Sequence, residues 1–443
     1  MLTAMKRMVL FIMVLVFPAA IISAQKLIDI YKNGPVKLVA DKDFGAKNNW
    51  QDLFSLYNDT NKENVGKEEI RKIVVAPDGS IFLSHRNRYE IWKFGQDGNF
   101  IKTIGSKGGK SGQFIMTPYV QAIIGNKYVL TSDVGGRLNF FDLNGNYIKT
   151  INLKYTAQAF QPLDNDNILL FGFAVWKTKT RHMVVRLNIN SGNEEIIYDY
   201  FTEHLSLNYI DNVDSLINVK KGNFNFSIPG SYPSISNSSF TFLKDGKFIR
   251  SDRKSGDYAV YGSDGKELLK AKMEIEPVRI TEADVQEMYE MMKRSLTSTI
   301  ESAKKMIDPA SPMRKNNPDW SPVNVQRQID INQKWLNNID IYRDIKNYDP
   351  YFPCFSNIIS DDEGNLLVFE FTSTNAKEDN IFNLIAYDSN GKKLVRTSFF
   401  CDEYDLSFSD AYFVISKGYA YTVAKLKTTT GMPLRLVRFK ITN

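Results

Sequence analysis

Apolar and polar residues alternate in short runs along most of this chain. The clearest case is Ile70–Gly105, IRKIVVAPDGSIFLSHRNRYEIWKFGQDGNFIKTIG. Four runs stand out within it: Ile70–Val75, Ile81–Ser84, Glu90–Phe94 and Phe100–Ile104. Pro77-Asp78-Gly79 separates the first two, and Gln96-Asp97-Gly98-Asn99 the last two. Period-two alternation marks strands with one face toward a core. Asp-Gly between such runs marks a hairpin, because the turn needs a positive φ that glycine adopts without a Cβ clash. Two hairpins in tandem predict a four-stranded antiparallel sheet, one blade of a propeller.

The unit recurs. First-hairpin turns fall at Pro77-Asp78-Gly79, Gly125-Asn126-Lys127, Asp164–Asn167, Lys244-Asp245-Gly246, Asp361–Gly364 and Lys417-Gly418. Second-hairpin turns fall at Asp97-Gly98-Asn99, Asn144-Gly145-Asn146, Ser191-Gly192-Asn193, Asp264-Gly265-Lys266 and Asn390-Gly391-Lys392. The sixth blade has no second turn, because the chain stops after Leu434–Ile441. An early strand within Val36–Val39 is expected to supply its outermost strand and close the ring, hiding edges that would otherwise template aggregation. The expected fold is therefore all-β, a six-bladed β-propeller of four-stranded antiparallel blades closed by an N-terminal strand. A seventh blade would need Gln51–Tyr57 to form a degenerate one.

One tract departs from the β pattern. In 281–348, Thr281-Glu282-Ala283-Asp284 resembles a capping box with Asp in place of Glu or Gln. Val285, Met288, Met292, Leu296, Ile300, Ala303 and Ile307 then recur at helical spacing. Pro309, Pro312 and Pro318 break that helix, and Ser321-Pro322 begins a second one carrying Ile329, Trp335, Leu336, Ile339 and Tyr342. This is an α-helical insertion between blades four and five. Its apolar surface predicts docking over the channel mouth, with Met288, Met292, Trp335 and Leu336 as anchors and Pro309–Pro322 as a hinge. The alternative is that the stripes pack against each other and the rim.

Composition refines this picture. The 443 residues are 43% hydrophobic and 13% aromatic, with 22 Tyr and 29 Phe, which suits a large β core. Lys6-Arg7, the apolar Met8–Val16 and Ser23-Ala24 read as a signal peptide over 1–24, leaving 25–443 as one propeller domain. The net charge of +6, less the two leader charges, is about +4, with no basic cluster of the kind that binds nucleic acid. No cysteine follows the leader's apolar run, so no lipid anchor is expected, and no later segment reads as transmembrane. The expected protein is secreted or periplasmic and monomeric. Cys354 and Cys401 fall on the innermost and outermost strands of one blade, three strand spacings of ~4.8 Å apart, so free thiols are expected.

IRKIVVAPDGSIFLS followed by EIWKFGQDGNFIKTIGSKGGKSGQF resembles the NHL-type repeat of six-bladed propellers. YFPCFSNIISDDEGNLLVF after a helical insertion is similar to an uncharacterised family of secreted six-bladed propellers common in Gram-negative bacteria that degrade glycans. The resemblance covers nearly the whole mature chain, and its motifs are structural, so it implies fold rather than activity.

Propeller topology sorts the loops. Connections from second to third strands share a face with the inter-blade connections. There the sequence places Arg86, Arg88, Arg137, Trp176, Arg181, His182, Arg253 and Lys427 as candidate ligand-binding residues. Arginines beside aromatics suit an anionic or carbohydrate ligand; the plainer reading is a set of solvated charges. His85, His182 and His204 lack metal-ligand spacing, whereas lyase-type six-bladed relatives depend on several metal-binding histidines. Lactonase-type relatives use a channel calcium, for which Asp133 and Asp252 are the possible oxygen ligands here. GSKGGKSG at 105–112 lacks a Lys-Ser/Thr at the offset a phosphate loop needs and a following helix, so it reads as a linker, and there is no Gly-x-Ser-x-Gly elbow. Two classes remain: a non-catalytic protein binding a glycan, a peptide or an envelope protein, or a channel-metal hydrolase or lyase. The absence of a catalytic signature favours the first.

Overall fold

The computed structural model describes residues 26–54, 70–85, 88–133, 136–176, 179–203, 238–308, 321–348, 350–371, 381–406, 408, 413–427 and 434–443. The expected signal peptide lies outside these residues, as does most of the Pro309–Pro322 segment. Strand β1 (Val36–Ala40) precedes blade one, which contains β2 (Ile70–Val75), β3 (Ile81–His85), β4 (Ile91–Phe94) and β5 (Phe100–Ile104). Blade two has β6 (Tyr119–Ile124), β7 (Tyr128–Ser132), β8 (Arg137–Asp142) and β9 (Tyr147–Asn152). Blade three has β10 (Thr156–Pro162), β11 (Asn167–Trp176), β12 (Lys179–Asn188) and β13 (Glu194–Glu203). Blade four has β14 (Ser238–Phe242), β15 (Phe248–Asp252), β16 (Asp257–Tyr261) and β17 (Glu267–Lys272). Blade five has β18 (Phe355–Ser360), β19 (Leu366–Glu370), β20 (Ile381–Tyr387) and β21 (Lys393–Phe400). A short β22 (Tyr404–Asp405) leads into blade six, whose own strands are β23 (Phe413–Ser416), β24 (Tyr419–Leu426) and β25 (Arg435–Thr442).

The fourth strand of blade six is β1. It runs antiparallel to β25, with Leu38 opposite Ile441, and its first residues also pair in parallel with β21, Val36 opposite Phe399. Blades five and six consequently share one continuous sheet, while the other four blades are separate four-stranded sheets. Helix α1 (Leu27–Lys32) adds Leu27, Ile30 and Tyr31 to the apolar core between blades five and six. Tyr31 donates its hydroxyl to Asp361 at 3.2 Å, and Glu363 accepts from the Leu27 amide at 2.7 Å.

Each pair of neighbouring blades shares its own apolar core. Trp92 and Phe94 meet Tyr421 and Leu436 where the ring closes between blades six and one. Phe82 meets Val120 between blades one and two, and Leu138 meets Ile168 between two and three. Phe171 meets Phe248 between three and four, and Val260 meets Leu366 between four and five. The innermost strands touch in cyclic order from β2 through β6, β10, β14, β18 and β23 back to β2. Six blades form a closed ring. Trp50 and Phe54, within and after the short helix α2 (Trp50–Leu53), fill the junction of blades six and one, so the described part of Gln51–Tyr57 is helix and C-cap and not a blade strand, and 55–57 lie outside the described residues.

Turn chemistry matches the strand pattern. Gly125-Asn126 and Lys417-Gly418 each have two consecutive positive φ values, 54–74°, as a two-residue type I′ hairpin requires. Cys354 and Cys401 flank blade five as buried free thiols.

Helices α3 (Glu282–Ile307) and α4 (Pro322–Asn337) lie between β17 and β18 in the chain. The capping box is formed: Thr281 accepts from the Asp284 amide at 3.3 Å, and Asp284 accepts from the Thr281 amide at 2.9 Å. The expected docking of both helices' apolar stripes onto mouth loops is not what buries them. Met292, Leu296 and Trp335 pack with one another, as do Ile300, Ala303, Val325 and Ile329, helix against helix. Only the base, Ile280, Val285 and Met288, joins Phe352 and Phe371 of the ring. Arg279 pairs with Tyr351 across that base.

Candidate functional site

The described loop-face residues are dispersed around the ring, each tied into its own blade or a neighbouring one. Arg88 bonds to Glu90 at 3.2 Å and covers the Trp92 ring at 4.9 Å. Arg137 bonds to Asp133 at 3.2 Å. Arg253 donates to the carbonyls of Phe355 and Ser356, at 3.3 and 2.6 Å. Lys427 donates to the Cys401 carbonyl at 2.6 Å. Arg181 makes two bonds to one Asp199 oxygen, at 2.8 and 2.5 Å. Arg86 lies outside the described residues, and Trp176 is described only as the last position of β11.

The two metal candidates are likewise engaged locally. Asp133 accepts from Arg137 and from the Ile115 amide, and burial pushes its carboxyl above the ordinary range. Asp252 accepts from the amides of Lys254 and Ser255 in the β15–β16 turn. Among the described residues no three metal-ligating side chains gather. His85 is buried against Trp92, and burial together with Arg88 lowers its pKa to about 3. His204 lies outside the described residues.

Of the described candidates, His182 and Asp252 line a cavity that arises from a mismatch in strand length. Strands β11, β12 and β13 each have ten residues, while β14, β15 and β16 of the next blade have five. At ~3.3 Å per residue, blade three overshoots its neighbour by about 16 Å. The near half of the interface is filled by Leu169, Val184, Phe242 and Phe248. The far half forms a cleft of about 990 Å³, at the upper end of the range for ligand pockets.

Alternation along the strands determines what lines it. Phe171, Phe173, Thr180, His182, Tyr200 and Thr202 come from blade three; Phe240, Arg250, Asp252, Asp257 and Tyr261 come from blade four. Arg181 falls on the opposite face from His182, with Phe201 6.0 Å away. Across the strands, Phe173 is opposite His182, and His182 is opposite Tyr200. The rings of Phe171 and His182 are nearly parallel at 6.0 Å, and those of His182 and Tyr200 at 4.7 Å. Phe171 stacks on Phe240 at 4.1 Å, joining the two blades.

Arg250 and His182 are the polar groups set into these rings. The Arg250 guanidinium lies 3.9 Å from the Tyr200 ring centre and donates to the Tyr198 hydroxyl at 3.1 Å. Its site suits a cation, since a guanidinium is held over an aromatic face by the ring's quadrupole. His182 Nε2 bonds to the Thr202 hydroxyl at 2.8 Å, while its buried Nδ1 has no partner among the described residues. Burial and the charge of Arg250 hold this imidazole below its ordinary pKa, so it is neutral near pH 7. Two polar anchors among aromatic rings can orient a polar ligand with a flat apolar face. The sequence reading missed Arg250, Tyr200, Phe171 and Phe240. The available signal was the uninterrupted length of NILLFGFAVW, which holds Phe171, and of KTRHMVVRLN, each twice as long as the first three strands of blade four.

A family model, DUF5128, described as a 6-bladed beta-propeller, matches residues 59–245. No curated protein matches the chain. Among solved structures it is similar to a DUF4221 family member from Bacteroides vulgatus, 13% identical, with a TM-score of 0.47 over 92% of this chain and 98% of that one. It is also similar to virginiamycin B lyase from Staphylococcus aureus, 10% identical, TM-score 0.34, over 85% of each chain. BamB from Moraxella catarrhalis is 9% identical, TM-score 0.31, over 84% of this chain and 85% of that one. At these TM-scores the likenesses carry no argument about activity.

Proposed function

We propose that this six-bladed β-propeller is an exported, non-catalytic binding protein that takes a glycan into the cleft between its third and fourth blades. The observation that carries the reading is the row of near-parallel rings, Phe171, His182 and Tyr200, with the polar groups of Arg250 and His182 set among them. Sugars offer an apolar face edged by hydroxyls, and such a face lies on aromatic rings while side-chain donors and acceptors take the hydroxyls. Export is supported by Lys6-Arg7 and the apolar run that follows, and no described helix is long and apolar enough to cross a membrane. A monomer that needs neither metal nor cofactor completes the proposal.

The test is a glycan-binding screen of the mature chain followed by calorimetry on the hits, with Tyr200→Ala as the cleft variant. Loss of the ring that carries Arg250 and stacks on His182 should weaken binding by about three- to tenfold while the melting temperature stays within a few degrees. Hits unaffected by Tyr200→Ala would place binding elsewhere. Retention of a peptide or an envelope protein in place of any glycan would overturn the ligand class.

A further inference from the structure

We infer that the ligand of this cleft is an acidic saccharide, a uronate, whose carboxylate is held by Arg250 while a sugar face lies along the aromatic row. The inference rests on the cleft being the binding site. Its starting point is charge. Arg88, Arg137 and Arg181 on the same side of the ring each face a carboxylate: Glu90, Asp133 and Asp199. Arg250 is half-buried between two blades and has no carboxylate partner among the described residues. The Tyr200 face and the Tyr198 hydroxyl hold the cation in place but supply no counter-charge, and a ligand carboxylate would provide one.

Geometry narrows the anion. The Tyr198 hydroxyl takes one bond from Nη1, which leaves the Nε and Nη2 edge of the guanidinium without a partner among the described residues. That edge presents two parallel N–H groups, the arrangement that matches the two oxygens of a carboxylate. The Tyr200 ring beneath, at 3.9 Å, holds the fork in plane. A sugar ring bearing that carboxylate would reach the neighbouring aromatic faces, with the unpartnered His182 Nδ1 and the hydroxyls of Thr180 and Thr202 placed for its hydroxyls.

The rim limits the charge the cleft accepts. Asp252, Asp257 and Glu267 also line the cavity, with Lys270 as the one other cation among its lining residues. The carboxylates of Asp252 and Asp257 are fixed by turn bonds to Lys254, Ser255 and the Ser255 hydroxyl. They would repel a second anionic group nearby, so the expected ligand carries one carboxylate at Arg250 and neutral groups around it.

Calorimetry with singly charged uronates tests this directly: the methyl glycosides of galacturonate, glucuronate and mannuronate, each against its methyl ester, at about 0.15 M salt. The ester keeps the sugar and removes the charge. At least one free acid should bind about tenfold or more tighter than its ester. Arg250→Gln should erase that difference, weakening the free acid by about tenfold more than the ester, and Arg250→Lys should restore only part of it, because an ammonium lacks the fork. Melting curves confirm that both variants fold. Equal binding of acid and ester, or a preference that survives Arg250→Gln, overturns the inference and leaves glycan binding standing. Binding of neutral glycans with no uronate bound does the same. If no glycan of any charge binds, the proposed function itself fails.

Discussion

Single residues show how tightly the blades are fitted. Gly192 and Gly265 occupy the same turn position in consecutive blades, with φ of +76° and +79°. A Cβ on Gly192 would meet nothing within 4 Å, whereas on Gly265 it would stand 2.0 Å from the backbone oxygen of Ile197 in the preceding blade. Gly192→Ala should therefore cost about 1 kcal/mol, the left-handed backbone alone. Gly265→Ala should cost on the order of 3 kcal/mol, because a blade must shift as well. Equal losses in chemical denaturation would show that the inter-blade fit is looser than the geometry says.

His85 gives a prediction in pH. Its folded pKa is about 3, below the ordinary 6.5. Between those values the unfolded chain binds a proton that the folded one refuses, so its contribution to stability falls as pH drops through that window. Asp361 works the other way: burial raises it to about 6 from 3.8, so protonation of the folded state adds stability over that range. The whole protein shows their partial cancellation, and a variant isolates one of them. His85→Phe should gain on wild type by on the order of 3 kcal/mol between pH 7 and pH 4. A constant gap between the two melting profiles over that range would show that His85 takes up its proton as readily folded as unfolded.

At the scale of elements, the helical arm is the informative case. Two amphipathic helices need a partner for their stripes, and the nearest partner in the chain is each other. Excision tests the consequence. The base is held by Ile280 donating to the Pro350 carbonyl at 3.0 Å and Phe352 donating to the Val278 carbonyl at 2.8 Å. Replacing 283–347 with a short Gly/Ser loop should leave the ring folded, with a modest fall in melting temperature from losing Val285 and Met288 against Phe352 and Phe371. A ring that fails to fold would mean the arm is part of its core.

For the whole molecule, the chain ends decide stability. Strand β1 carries Val36 and Leu38 into the core shared by blades five and six and occupies the edges of both β25 and β21. Arg438 of β25 bonds to Asp41 just beyond β1, at 2.5 and 3.1 Å. Removing residues 26–41 should expose two strand edges and strip Tyr31 from its pocket, giving aggregation or a melting temperature lower by 10 °C or more. Leu38→Ala, a milder probe, should cost about 2–5 kcal/mol. A truncated protein that melts like the full mature chain would show that the ring closes without its terminal strand.

Blade number and hairpin positions were legible in the sequence because each is written locally, and the closure of β1 on β25, at opposite ends of the chain, followed from counting the hairpins. Strand period, Asp-Gly turns and a missing last hairpin all act over a few residues, and Ile70–Val75 and Phe100–Ile104 are strands with the bounds their alternation marks. The helix cap at Thr281 belongs to the same class. The cleft was not legible, because it exists between blades. Arg250 and Tyr200 are fifty residues apart in the chain and meet only when blade four packs on blade three. His182 and Arg181 are sequence neighbours that alternation sends to opposite faces, one into the cleft and one to Asp199. Local patterning thus determined which strands form and where they turn. Only tertiary packing decided which faces meet, how far the ten-residue strands overreach their neighbours, and that Arg250 meets aromatic rings and no carboxylate among the described residues.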